Sequence, residues 1–251
     1  MSEIALLGRR AVREIARVPE ATIPTLFIPL FFLVVNVGQA GKIFPSQSTE
    51  FLKGQGYGAF QLPASLLLAA SFGTAALFLV EDIEGGYFDK LRATPIPRTS
   101  IVLGRLIAEV AKGLLIATLI VLLGLVFGIT IASGVLGFVL LVGLTAVWAA
   151  VFVGFMQLIA LKTRSAAATN SGGLVFFPLL FLTPNFVPRD MLTRPMEVAA
   201  SLNPVTYVME GLRSLILEDL AWSAILPAFA VAGVLGALML ALNVRMIRRY
   251  D

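Results

Sequence analysis

Long apolar runs separated by short polar breaks make up most of this chain. A helix of roughly 20 apolar residues, rising 1.5 Å per residue, crosses the hydrocarbon core of a bilayer. By that measure the pattern predicts six spans, near 22–41, 59–80, 100–128, 135–161, 166–182 and 222–244. The first contains Pro24 and Pro29, with Asn36 as its one strongly polar interior residue. The third is roughly 43 Å long, more than the core needs, so its first turns are expected to stand outside the hydrocarbon. Glu109 and Lys112 lie near that boundary, three residues apart on one face. They read either as a gate ion pair or as a local pair whose heads snorkel to the interface. Gln157 is polar near the end of the fourth span, and the fifth opens on the small residues AAATNSGG, which permit close helix contact.

Three stretches depart from this pattern. Residues 1–20 carry a helical apolar stripe (Ile4, Leu7, Ala11, Ile15, Val18), with Arg9, Arg10, Arg13 and Arg17 mostly off it and Arg10 placed to pair with Glu14. They predict an amphipathic helix in the interface plane, or a stub that only sets topology. This start is charged and broken, so no cleavable signal peptide is expected.

Residues 81–105, EDIEGGYFDKLRATPIPRTSIVLGR, form the longest charged break. Acids Glu81, Asp82 and Glu84 lead to Gly85-Gly86, where the backbone can turn sharply. A short helix is expected next, with Tyr87, Phe88 and Leu91 on one face. Pro95 disfavours helix at Thr94, and Thr99 or Ser100 can cap the following helix. Residues 183–221 are half polar and punctuated by Pro184, Pro188, Pro195 and Pro204. Met196–Leu202 and Val205–Leu217 read as short helices tucked into the outer leaflet, or else as parts of a plain surface loop.

Composition supports lipid as the main solvent. Of 251 residues, 58% are hydrophobic and 14% charged, against roughly a quarter charged in soluble domains. The net charge of +4 gives nucleic-acid binding little support. With the N-terminus inside, thirteen Lys and Arg fall on the cytoplasmic side and five outside. That bias predicts two cytoplasmic termini and a cytoplasmic 81–100 loop in a multi-pass plasma-membrane protein.

The chain has no cysteine and no histidine, which removes thiol chemistry, disulfides and the usual zinc ligands and general base. It has no Gly-x-x-x-x-Gly-Lys followed by Ser or Thr, so phosphate cradling by such a loop is not expected of it. Intramembrane ionisable residues are few, which argues against a proton- or sodium-driven carrier.

Two stretches resemble type-2 ATP-binding-cassette exporter permeases, most nearly the daunorubicin-resistance kind. In the first the matching positions are Glu81, Glu84, Gly85-Gly86, Phe88, Leu91, Thr94-Pro95 and Gly104-Arg105. In the second they are Phe186-Val187-Pro188, Asn203-Pro204, Thr206-Tyr207 and the run from Glu210 to Arg213. Thr183-Pro184 departs from the Ser-Gly found in many members. The resemblance implies an all-α membrane protein, one transmembrane domain over 1–251, in a prokaryotic plasma membrane. Its six transmembrane helices would be joined by an N-terminal interface helix, a cytoplasmic coupling helix and short re-entrant helices before the last span. It implies ATPase subunits that bind ATP and Mg, a second permease copy or paralogue, and no cofactor in this chain.

It further implies export of a lipophilic, drug-like or lipid-linked substrate, with polysaccharide export as the family's other habit. An ATP-independent channel or carrier is the reading from another class. Glu81, Glu84, Gly85, Gly86, Tyr87, Phe88, Leu91, Arg92, Thr94 and Pro95 would couple to the ATPase. Tyr87, Phe88 and Leu91 would be its buried anchors, with Asp89, Lys90 and Arg92 as rim. Asn36, Glu109, Lys112, Gln157, Phe186, Asn203, Tyr207 and Glu210 would line or gate the pathway.

Overall fold

The computed structural model describes residue 13 and residues 19–72, 75–94 and 97–248. The expected interface helix at 1–20, apart from Arg13, Pro19 and Glu20, lies outside the described residues, as do its Arg10–Glu14 pair and Pro95. Every regular element among the described residues is helical. Among the described residues, four helices are long and apolar enough to cross a membrane. They are α1 (Pro19–Ala40), α5 (Arg98–Val126), α6 (Gly134–Thr163) and α11 (Trp222–Arg248).

The expected second and fifth spans are not continuous helices. The second consists of α2 (Tyr57–Ala70) and α3 (Ala75–Glu84): α2 stops at Ser71, a poor helix former in the C-cap position, and Phe72 is not helical. The fifth consists of α7 (Ala166–Gly173) and α8 (Phe176–Phe181). Gly172-Gly173 weakens the helix there, and Pro178 lacks the N–H that would bond Leu174 O; Phe177 N donates to it instead at 3.2 Å. Periodicity could not report these breaks, because the runs stay apolar through them.

Helix α6 is the centre of the bundle. It forms a hairpin with α5 through the turn at 127–133, and α2, α3, α7, α10 (Pro204–Leu217) and α11 all pack on it. Close approach to α5 is permitted by Gly113, where a Cβ would lie 3.1 Å from Ala149 Cβ. Every residue of α2 except Gly58 is buried, as expected for a helix that is apolar all round. Helix α1 turns Thr25, Pro29 and Leu33 inward and shows Ile23, Phe27, Phe31 and Val34 outward. Such an outward apolar stripe is stable against lipid or another helix.

The stretch before the last long helix holds α9 (Arg194–Leu202) and α10. The surface-loop alternative fails for α10, which buries all its residues except Pro204, Tyr207 and Glu210. Those three fall on one face at spacings of three. Gly211 lets α10 reach α11: an added Cβ would sit 2.3 Å from Ala228 Cβ and 3.3 Å from Ala224 O. Gly211→Val should therefore cost about 1–3 kcal/mol by overpacking. A melting temperature in detergent equal to that of the parent chain would refute this.

Candidate functional site

Polar groups gather in three places along the bundle. The first is the end that carries the 85–97 loop. As the sequence expects, Glu81, Asp82 and Glu84 stand ahead of a turn, and they form the last turn of α3. Gly86, with φ at +69°, then makes the turn into α4 (Tyr87–Arg92). Phe88 and Leu91 do not face outward as partner anchors, which corrects the expected one-sided aromatic face. They pack with Leu79, Val80, Ile101, Ala160, Leu161 and Ile247, and Phe88 is 1% exposed. A six-residue helix cannot hold its shape alone, so its apolar side closes onto α3, α5, α6 and α11 instead. Glu81, Glu84, Gly85, Tyr87, Lys90 and Thr94 stay exposed, while Arg92 ends the helix. Pro97, not Thr99 or Ser100, occupies the N-cap position of α5.

Behind this end, Arg105 of α5 pairs with buried Asp82 of α3 and donates to Phe78 O at 3.3 Å. One turn and two turns further along α5 stand Glu109 and Lys112, so 105, 109 and 112 form one polar stripe. Lys112 Nζ lies 2.6 Å from Glu109 Oε1, and both residues are buried, at 6% and 1% exposure. Lys112 is at the midpoint of a 29-residue helix. The snorkelling reading is thereby corrected: the heads stay inside the bundle. Gln157 on α6 is also buried, and its amide has no hydrogen-bond partner among the described residues.

A cavity of about 350 Å³ opens beside both helix breaks. Leu68, Ser71 and Phe72 line it from the α2 side, Phe152 and Met156 from α6, and Gly173, Leu174, Phe176 and Phe177 from the α7–α8 break. Pro24 and Thr25 of α1, Leu77 of α3 and Asn170 of α7 complete the wall. Aromatic and aliphatic walls with a few hydroxyl and amide groups suit an apolar molecule bearing a few polar substituents. The expected pathway set does not line this space.

The third polar region closes the opposite end. Gln61 of α2 donates to Tyr57 Oη and to Asn185 O, both at 2.8 Å, and accepts from Asn36 Nδ2 of α1 at 3.2 Å. Tyr57 donates in turn to Phe186 O at 2.8 Å. Asn203 caps α10, accepting from Val205 N and donating to Leu179 O, which ties that helix to α8. Glu210 receives a two-pronged bond from Arg189 at 2.8 and 3.0 Å, and the Arg189 guanidinium lies over the Tyr207 ring. Arg213 is buried against the Phe60 ring, 3.6 Å from its centroid. Of the expected pathway residues, Asn36, Phe186, Asn203, Tyr207 and Glu210 thus belong to this end, whereas Glu109 and Lys112 lie in mid-bundle.

An ABC-2 type transporter family model matches residues 2–217. The chain belongs to the ABC-2 type transporter family. Among similar proteins of this kind is the daunorubicin resistance ABC transporter permease protein DrrB1 of Streptomyces coeruleorubidus. It is 24% identical over 250 residues, 95% of this chain and 83% of the relative. A putative transport permease, ycf38, of Pyropia yezoensis is 26% identical over 229 residues, 86% of this chain and 74% of the relative. Sequence reasoning missed two residues of this ABC-2 permease, Gln61 and Tyr57 at the far end, and it marked Arg105 only within the Gly104-Arg105 match, without its pairing to Asp82. Gln61 was legible as an amide inside an apolar run, a position that hydrocarbon does not tolerate unpaired.

Proposed function

We propose that this ABC-2 permease is the membrane subunit of an ATP-driven exporter of lipophilic, drug-like or lipid-linked molecules. Its α3–α4 corner would receive the stroke of a separate ATPase that binds ATP and Mg. One observation carries the reading: α4 is packed onto the end of α3, and α3 runs directly to the break that lines the apolar cavity. A push on the exposed side of α4 is therefore delivered to the cavity wall by packed, rigid elements. Six crossings, with α2–α3 and α7–α8 each acting as one broken crossing, agree with the charge pattern. Lys42, Lys53 and Arg189 fall in loops of one end, and Lys90, Lys162, Arg164, Arg245 and Arg248 gather towards the other. The positive-inside bias supports a cytoplasmic α4 end and cytoplasmic termini in this reading, with a prokaryotic plasma membrane as the setting. The outward stripe of α1 is a surface on which a second permease copy or a paralogue can pack. The apolar cavity favours lipophilic cargo over polysaccharide.

With Phe88 and Leu91 turned inward, the docking face consists of Tyr87 and Lys90, flanked by Glu81, Glu84 and Thr94. Replacing Tyr87 by Ala together with Lys90 by Glu should leave the fold intact, because both side chains are exposed. Loss of an aromatic and a reversed charge should weaken ATPase capture by roughly ten-fold or more. Co-purification with the co-expressed ATPase measures this, and undiminished recovery from the double variant would sink the docking assignment.

A further inference from the structure

Lys112 reaches from α5 to the residues that follow α2. Helix α2 ends at Ala70, and Ser71 at its C-cap position has φ −96° and ψ 0°. The end of a helix leaves carbonyls without partners and carries a partial negative charge. Lys112 Nζ donates to Phe72 O at 3.4 Å, on the first residue beyond that cap. Glu109 holds the ammonium from one turn below, at 2.6 Å. Its second oxygen has no hydrogen-bond partner among the described residues. The carboxylate therefore gains little from its site except Lys112, whereas Lys112 bridges to another element. On the far side of the break, α5 grips α3 again through Arg105 and Asp82. The two attachments lie seven residues apart on α5, about 10.5 Å along its axis.

We infer that Lys112 is a positioning residue for transport: held by Glu109, it pins the end of α2 to α5, so that a stroke carried by α3 reaches the cavity wall instead of being lost in the end of α2. This rests on the exporter reading above. Without the pin, movement of α4 would unwind the end of α2 rather than tilt the cavity wall. ATP would then be hydrolysed with little movement of cargo.

The test uses the full chain with its ATPase, reconstituted in vesicles with a fluorescent lipophilic dye as cargo. Lys112→Met should lower dye transported per ATP hydrolysed roughly ten-fold, with the basal hydrolysis rate kept. Amide hydrogen exchange of 68–77 should rise by a similar factor, while that of 222–244 stays unchanged. Lys112→Arg should restore both values, because the cation and its reach are retained. Lys112→Met strands a buried carboxylate and can fail to fold; Glu109→Gln with Lys112→Met removes both charges and decides the matter. A double variant with parental transport per ATP and parental exchange at 68–77 would overturn the inference. So would a rise in exchange spread evenly over the chain. Should the parent complex neither capture an ATPase nor move the dye, the exporter reading fails. The exchange comparison on the chain alone then still decides whether Lys112 pins the break.

Discussion

Phe88→Asp should disable this permease by collapsing the α4 end, not by leaving an intact docking helix with a missing anchor. Phe88 is 1% exposed and surrounded by side chains from four other helices. Removing a buried phenylalanine costs about 3–5 kcal/mol even when the replacement is alanine. An aspartate adds a charge in an apolar pocket, which costs several kcal/mol more or forces the group out into water. The expected result is a lower melting temperature and early proteolytic cutting after Lys90 or Arg92, with ATPase capture lost as a consequence. Phe88→Leu keeps most of the apolar volume and should retain capture. If the aspartate variant melts like the parent while losing the ATPase, Phe88 faces a partner and the inward packing described above is wrong.

Arg105→Met should be nearly as damaging, for a different reason. The Arg105 and Asp82 side chains are both close to fully buried. Taking away one partner leaves the other charge desolvated without compensation, a loss of about 3–5 kcal/mol. Replacing both partners by apolar residues of similar volume is often neutral or even stabilising. Arg105→Met with Asp82→Leu should therefore recover most of the thermal stability that the single change loses. It should not recover full transport, because α3 would have lost its fixed distance from α5. A double variant that melts as low as the single one would show that the pair contributes more than mutual neutralisation.

What was legible in the sequence was whatever has a period or a length. The four long helices announce themselves by apolar windows of at least 18 residues each, and α10 by an apolar face opposite Pro204, Tyr207 and Glu210. The helix breaks were hidden, because a broken crossing and a whole one have the same hydropathy when the residues at the break are themselves small or apolar, as Ser71-Phe72 and Leu174-Val175 are. The facing of α4 was hidden for another reason. Six residues make fewer than two turns, so Tyr87 and Phe88 can be assigned to one face or to two on spacing alone. Only the neighbours decide, and those neighbours come from 79–80, 101, 160–161 and 247, positions no local pattern connects. Glu109 and Lys112 were expected at the interface because length alone placed the start of α5 outside the hydrocarbon; that neighbouring helices bury both side chains was not legible. Charged residues near such a start are ordinarily at the interface.

The chain contains two tryptophans, and one of them touches the break between α2 and α3. Trp148 is buried on α6, and its indole N–H donates to Ser71 Oγ at 3.3 Å. Trp222 is about half exposed at the opposite end of the bundle. With Trp222 exchanged for phenylalanine, the remaining indole becomes an intrinsic optical probe seated against the end of α2. Its emission wavelength depends on that single bond to serine and on the dryness of the surrounding wall. A transporter without a single cysteine thus carries its own label, and its working cycle can be followed by light without attaching a dye.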